Sequence, residues 1–134
     1  MSRTEHFTRD AMKPLFEPYG LVEAVKSGAT LTLSGQTGIG EYHQVVEGGL
    51  RAQAVQAFRN IKAVLDLAGA RVENLVHLTW YVVETPRSFL EDAMEITAAR
   101  EEVMPGLKCA ATAVRVKALL MPEFLIEIQA VATL

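Results

Sequence analysis

Glu127 is the residue in this 134-residue chain whose setting best suits acid–base chemistry. It lies in the alternating run Phe124-Leu125-Ile126-Glu127-Ile128-Gln129. A strand there places Phe124, Ile126 and Ile128 on one face and Glu127 and Gln129 on the other. A carboxylate on a partly dry surface has its pKa raised by desolvation, which suits a group that must accept a proton near neutral pH. A carboxylate merely paired with a neighbouring subunit's backbone or cation is the plainer alternative. Two other runs could line a cleft. Glu17-Pro18-Tyr19-Gly20 is a stiff turn able to aim the Tyr19 phenol, and Ser34-Gly35-Gln36 ends a strand with small residues that let backbone approach a ligand. Both also read as ordinary structure, a rim aromatic and a strand terminus.

Other chemistries find less support. The single cysteine, Cys109, follows Lys108, but neighbours on a strand point to opposite faces, so an inert, half-buried thiol is expected. His6, His43 and His77 lack ligand spacing, so no metal site is expected. Glycine-rich phosphate loops and Gly-x-Ser-x-Gly elbows are absent. The formal net charge is −3 and no lysine or arginine run exceeds a pair, which disfavours a nucleic-acid partner. One cysteine excludes an intrachain disulfide, the N-terminal residues lack the apolar stretch of a secretory leader, and no run approaches the ~18 apolar residues of a membrane span. A cytoplasmic protein without membrane contact is expected. With 50% hydrophobic and 22% charged residues, the composition is that of one globular domain over 1–134.

The elements that must position these residues are read from periodicity. A strand over 22–26, a Ser27-Gly28 turn and a strand over 29–34 form a hairpin, and a glycine-rich loop follows over 38–49, where Tyr42 and Val45-Val46 could extend the strand. Apolar residues at three- and four-residue spacing predict a helix over 50–68, with Gly69 as its C-terminal cap. A strand over 75–83 has Val76, Leu78, Trp80 and Val82 on one face and His77, Thr79 and Tyr81 on the other. Ser88 caps a second helix that runs to the stop at Met104-Pro105-Gly106, and strands over 110–118 and 124–132 close the chain. This order makes an α+β fold, a mixed β-sheet with two helices packed on one face. The second sheet face, expected to carry Leu125 and Val131 with Ala111 and Ala113 beside them, is then solvated or covered by another subunit.

Several runs together resemble the reactive-intermediate deaminase (Rid) family, also called YjgF-type or L-PSP endoribonuclease-like. They are Pro18-Tyr19, Leu33-Ser34-Gly35-Gln36, Ala52-Gln53-Ala54, Asn60-Ile61-Lys62-Ala63-Val64, Ala68-Gly69-Ala70, Val82-Val83, Phe89 and Ile126-Glu127-Ile128-Gln129-Ala130-Val131-Ala132. The resemblance spans nearly the whole chain. It implies a chorismate-mutase-like homotrimer with clefts between subunits, and, in the founding subgroup, hydrolysis of enamines or imines such as 2-aminoacrylate to a ketoacid and ammonia without a cofactor. It makes Glu127 the expected catalytic residue, positioning water, and Tyr19, Ser34, Gln36, Ala93, Cys109 and Ala111 the expected substrate-binding positions. Two positions depart from the family pattern. Cys109-Ala110-Ala111-Thr112-Ala113-Val114 sets against the family's Pro-Ala-Arg-Ser-Cys-Val, so Ala111 stands at the arginine that clamps the substrate carboxylate, and Ala93 stands at a helix asparagine. Arg115 shares the strand face of Ala111 but lies about 13 Å farther along, too far to replace it in the same substrate pose. Lys108, Arg51 and Arg87 are the other cations that could serve from a different direction. The expected function is a diverged enamine/imine deaminase. The alternative is a non-catalytic trimer that binds a small metabolite, and an endoribonuclease is the reading least supported.

Overall fold

The structure, a computed structural model, describes residues 3–134; Met1 and Ser2, part of the stretch read above as leaderless, lie outside the described residues. Among the described residues, seven strands and three α-helices follow one another, with short 3-10 turns between some of them. The strands and helices are β1 (Thr4–Phe7), the single-turn helix α1 (Lys13–Phe16), β2 (Ala24–Ser27), β3 (Thr30–Leu33), β4 (Gln36–Thr37), α2 (Gly49–Leu67), β5 (Leu75–Val83), α3 (Phe89–Val103), β6 (Ala110–Val116) and β7 (Ile126–Thr133). The strands form one mixed sheet in the order β1-β2-β3-β7-β5-β6, and β4 pairs with β7 just beyond β3. Every pairing is antiparallel except β5 with β6, which α3 joins as a crossover. The α+β class and mixed sheet expected from sequence are present.

Local chemistry explains the helices. Along α2, Ala54, Ala57, Phe58, Ile61, Val64 and Leu65 are fully buried at three- and four-residue spacing, so one stripe of the helix lies on the sheet. Gly69, at φ +75°, ends it in a Schellman turn, with Ala70 N–H donating to Leu65 O and Gly69 N–H to Asp66 O. At the start of α3 the Ser88 hydroxyl accepts from Glu91 N–H at 3.1 Å while the Glu91 carboxylate accepts from Ser88 N–H at 3.2 Å. Ile96 and Ala99 of α3 join the same core. That core is completed by Leu31, Leu33, Leu78, Val82, Ile126 and Ile128 from the sheet.

Several expectations need correction. β1 lies where no strand is expected, because its four residues are mostly exposed and carry no apolar alternation. α1 adds a third, one-turn helix. The hairpin turn is Gly28-Ala29, since Ser27 pairs with Thr30. Tyr42 does not extend the strand; the loop has only the isolated bridge Ile39–Val45. A β-bulge between Leu75 and His77 turns Val76 outward and Leu75 into the core, the reverse of simple alternation. The parallel register Leu78↔Ala111, Trp80↔Ala113 puts Ala111 and Ala113 on the helix-side face, not beside Leu125 and Val131.

A buried polar cluster ties the N-terminal arm to this frame. The Arg9 guanidinium meets the Glu23 carboxylate through Nε–Oε1 (2.9 Å) and Nη2–Oε2 (2.7 Å), and Glu23 is completely buried. Gln36 Nε2 donates to Glu23 Oε2 at 3.1 Å, and Arg9 Nη1 donates to Asn60 Oδ1 at 3.3 Å. Asn60 Nδ2 in turn donates to the Thr37 and Ile39 carbonyls, both at 2.9 Å. Removing one partner of such a pair strands the other charge. Glu23→Ala is expected to lower unfolding free energy by about 3–5 kcal/mol in urea titrations; a loss under about 1 kcal/mol would show that water readily replaces the carboxylate.

Candidate functional site

Antiparallel pairing places Glu127 between Thr37 of β4 on one side and Tyr81 of β5 on the other, on the sheet face that no helix covers. Its side chain folds across Gly35. A Cβ built on Gly35 would overlap the Glu127 carboxylate, lying 2.7 Å from Cδ and 2.8 Å from Cγ, so only glycine leaves room. The close approach anticipated at Gly35 is therefore made by this protein's own carboxylate. Among the described residues no hydrogen bond or salt bridge engages Glu127, and its half-burial raises its pKa by desolvation.

The rest of the open face is nearly uncharged. Around Glu127 it carries Tyr81, Gln129, Thr79, Thr112 and Val114, and His77 lies 3.4 Å from the Thr112 hydroxyl. Gln129 Nε2 donates to Leu33 O at 3.1 Å, which leaves its carbonyl oxygen free of protein donors. Following the register outward to β3, β2 and β1 adds Thr32, Val25 and His6, and no strand residue on this face is lysine or arginine. Tyr81, directly across from Glu127, is the site residue that sequence reading overlooks. Alternation puts it on the correct face, but only the β5–β7 register reveals its partner.

The other expected residues scatter. Tyr19 is 76% exposed, in a tight turn closed by Gly20 at φ +70°. Ser34 donates its hydroxyl to the Val22 carbonyl at 2.7 Å, so it ties two strand ends together. Gln36 is 3% exposed and belongs to the Arg9–Glu23 cluster, facing the core. The reason is parity: Gln36 pairs with Ile128, a core residue, so its carboxamide cannot share the face of Glu127. Ala111 lies on the helix-side face of the edge strand β6, separated from Glu127 by the width of β5. Ala93 lines a shallow groove of about 400 Å³ on α3 with Leu90, Met94 and Thr97, and Glu127 lines no part of it. Cys109 is half-buried, and burial pushes its thiol up against an opposing pull from Arg100, so the thiolate is not favoured. One chain thus brings together Glu127, Gly35 and Tyr81, and leaves Ala93 and Ala111 on the opposite side of the sheet.

Arg115 is committed elsewhere. Its guanidinium pairs with the buried Asp92 carboxylate at 2.8 Å, donates to the Val83 and Arg87 carbonyls, and stacks 4.8 Å from the Phe89 ring centre. Arg87 is drawn to Asp92 (3.5 Å) and Glu91 (3.7 Å), and Arg51 to Glu102 (3.4 Å). Lys108 has no ion-pair partner among the described residues. Among the described residues, no group of three or more His, Cys, Asp or Glu side chains could hold a metal ion, and no helix is long and apolar enough to cross a membrane.

Comparison with known proteins agrees with this architecture. A RutC family protein of Pyrococcus abyssi is 32% identical over 133 residues, covering 98% of each chain. A 2-iminobutanoate/2-iminopropanoate deaminase of Dermatophagoides farinae is 38% identical over 66 residues, 48% of this chain and 50% of that one. The crystal structure of a Pseudomonas aeruginosa protein of unknown function superposes with a TM-score of 0.81 at 30% identity, covering 99% of this chain and 94% of that one. The family described as endoribonuclease L-PSP matches residues 11–134, and to that family, whose RutC and YjgF-type relatives share this sheet and its helices, the chain belongs.

Proposed function

We propose that the chain hydrolyses a reactive imine or enamine to a carbonyl compound and ammonia, with Glu127 as the proton acceptor. The observation that carries this reading is the half-buried carboxylate of Glu127, unpaired and folded against Gly35 on an open sheet face. The deaminase named among the relatives supports the reaction class. In the reaction, Glu127 takes a proton from water as the water oxygen bonds to the imine carbon, giving a carbinolamine. The carbinolamine is complete once Glu127 returns that proton to the nitrogen; Glu127 then accepts the carbinol hydroxyl proton and passes it to the nitrogen as the C–N bond breaks, so that ammonia leaves and the carbonyl forms. Electrons balance without a redox partner, so no cofactor is required.

The site is completed by a second copy. Glu127 on the open face and Ala93, Cys109 and Ala111 towards the helix-side edge cannot meet within one chain. A homotrimer in which the β6 edge of one copy meets the open face of the next would join them, with Tyr19 and Ser34 at the rim. The same proposal has a single domain over 1–134 acting in the cytoplasm on a small molecule. A second reading, a trimer that binds a small metabolite without converting it, is favoured by one observation: Ala111 offers no cation and Arg115 is already paired. The formal charge of −3 weighs against a ribonuclease.

Freshly generated imines should release ammonia faster with the protein than without it, and Glu127→Gln should slow that release by about 10²–10⁴-fold. Unchanged turnover in Glu127→Gln would remove the carboxylate from the mechanism. A compound that raises the melting temperature but is never converted would shift the weight to the binding reading. Stability should move the other way. Because the folded-state pKa of Glu127 is raised, its ionisation opposes folding, so its stabilising contribution is present below the unfolded pKa and lost as pH rises through the folded one. Glu127→Gln is therefore expected to melt higher than wild type at pH 7–8, with the gap closing below the ordinary carboxylate range. A mutant that melts lower at pH 7–8 would mean that the carboxylate has a stabilising partner.

A further inference from the structure

The charges around Glu127 bear on which imine the site takes. This step rests on the deaminase reading and narrows its substrate. Through the register of β1, β2, β3, β7, β5 and β6, the open face carries one carboxylate, Glu127, two histidines, His6 and His77, and no lysine or arginine. A substrate carboxylate placed beside Glu127 would meet a like charge on a partly dry surface, with no cation on that face to offset it.

The helix-side face of β6, which a second copy would bring up, supplies no free cation of its own; Lys108 and Lys117, which have no ion-pair partner among the described residues, stand outside the strand at its two ends. Ala111, Ala113 and Ala93 are apolar. Arg115 spends its donors on Asp92, Val83 O and Arg87 O, and Arg87 lies against Asp92 and Glu91. What the open face does offer is neutral hydrogen bonding: the Tyr81 phenol across from Glu127 and the free carbonyl oxygen of Gln129. The Glu127 carboxyl leans towards Gly35, on the side of β7 away from β5, and Tyr81 stands opposite Glu127 in the register of the neighbouring strand, so the two residues border the same stretch of the open face.

We infer that this site takes uncharged imines, which bear no carboxylate, and that the Tyr81 phenol donates a hydrogen bond to the imine nitrogen while Glu127 accepts the proton of the attacking water. Such imines arise by two-electron oxidation of simple primary amines, so an amine oxidase or amine dehydrogenase is the class of reaction that would supply them. The atom balance is that of hydrolysis: water adds across C=N, the C–N bond breaks, and ammonia and an aldehyde leave.

The test uses matched imines that differ in the carboxylate, generated in place by a flavin amine oxidase from isoamylamine and by an L-amino-acid oxidase from leucine. Ammonia release and semicarbazide trapping are followed with full-length protein, each rate being divided by that in buffer. The expected result is an acceleration at least about 10-fold greater for the neutral imine. Tyr81→Phe, which keeps the ring, should lower kcat for that imine at least about 10-fold with an unchanged melting temperature. Equal or greater acceleration of the leucine-derived imine overturns the inference while leaving the deaminase reading intact, and loss of that acceleration in Lys108→Ala would identify the cation responsible. An unchanged kcat in Tyr81→Phe overturns the assignment of the phenol. No acceleration of either imine, with Glu127→Gln matching wild type, overturns the deaminase reading and this inference with it.

Discussion

The ion pair between Arg9 and Glu23 is the constraint on which the site's geometry depends. Glu23 is completely buried, and both of its oxygens are engaged, by Arg9 and by Gln36. Buried charges persist only when paired and hydrogen-bonded, so this carboxylate requires its partners where they stand. The same network reaches Asn60 of α2, whose amide holds the Thr37 and Ile39 carbonyls. Four separate stretches of chain, the N-terminal arm, the entry to β2, β4 and α2, are thereby fixed to one another. Gln36 and Thr37 pair with Ile128 and Glu127, so the segment carrying Gly35 is set down beside the carboxylate it must clear. The cluster touches no substrate in this account. It is what makes a two-residue strand a rigid floor.

A second buried carboxylate does the opposite work at the other edge. Asp92 draws Arg115 and Arg87 into one cluster where α3 begins, and Arg115 packs flat on Phe89. The cations nearest Ala111 on its face are consumed in holding α3 to β6. Glu127, by contrast, is left without a partner among the described residues, and its desolvation is a cost to folding. Two carboxylates that are paired and one that is not distinguish scaffold from site more clearly than composition does.

Much of this was legible in the sequence where a single element carries its own signal. β5 spans the residues that its β-branched and aromatic run predicts, α2 follows its apolar stripe to Gly69, and Ser88 caps α3. Alternation alone set Glu127 and Gln129 against Ile126 and Ile128, as the burial of β7 confirms. What escaped depends on relations between elements. Gln36 reads as a site residue until β4 is known to pair with Ile128, and Ala111 reads as a neighbour of Val131 until the parallel register with Leu78 puts it on the other face. One inserted residue, Val76, inverts the start of β5. β1 has too little apolar content to announce itself and is held by pairing with β2.

The central claim, that Glu127 is an unpaired carboxylate kept partly dry for proton transfer, is tested most directly by titrating that one side chain. Carbon-13 NMR of protein labelled at the glutamate carboxyls, with Glu127 assigned by comparison with Glu127→Gln, follows its ionisation. The account predicts a midpoint above the ordinary glutamate range. A midpoint at or below that range would mean that a cation or donor satisfies the carboxylate, and Glu127 would then be part of the scaffold.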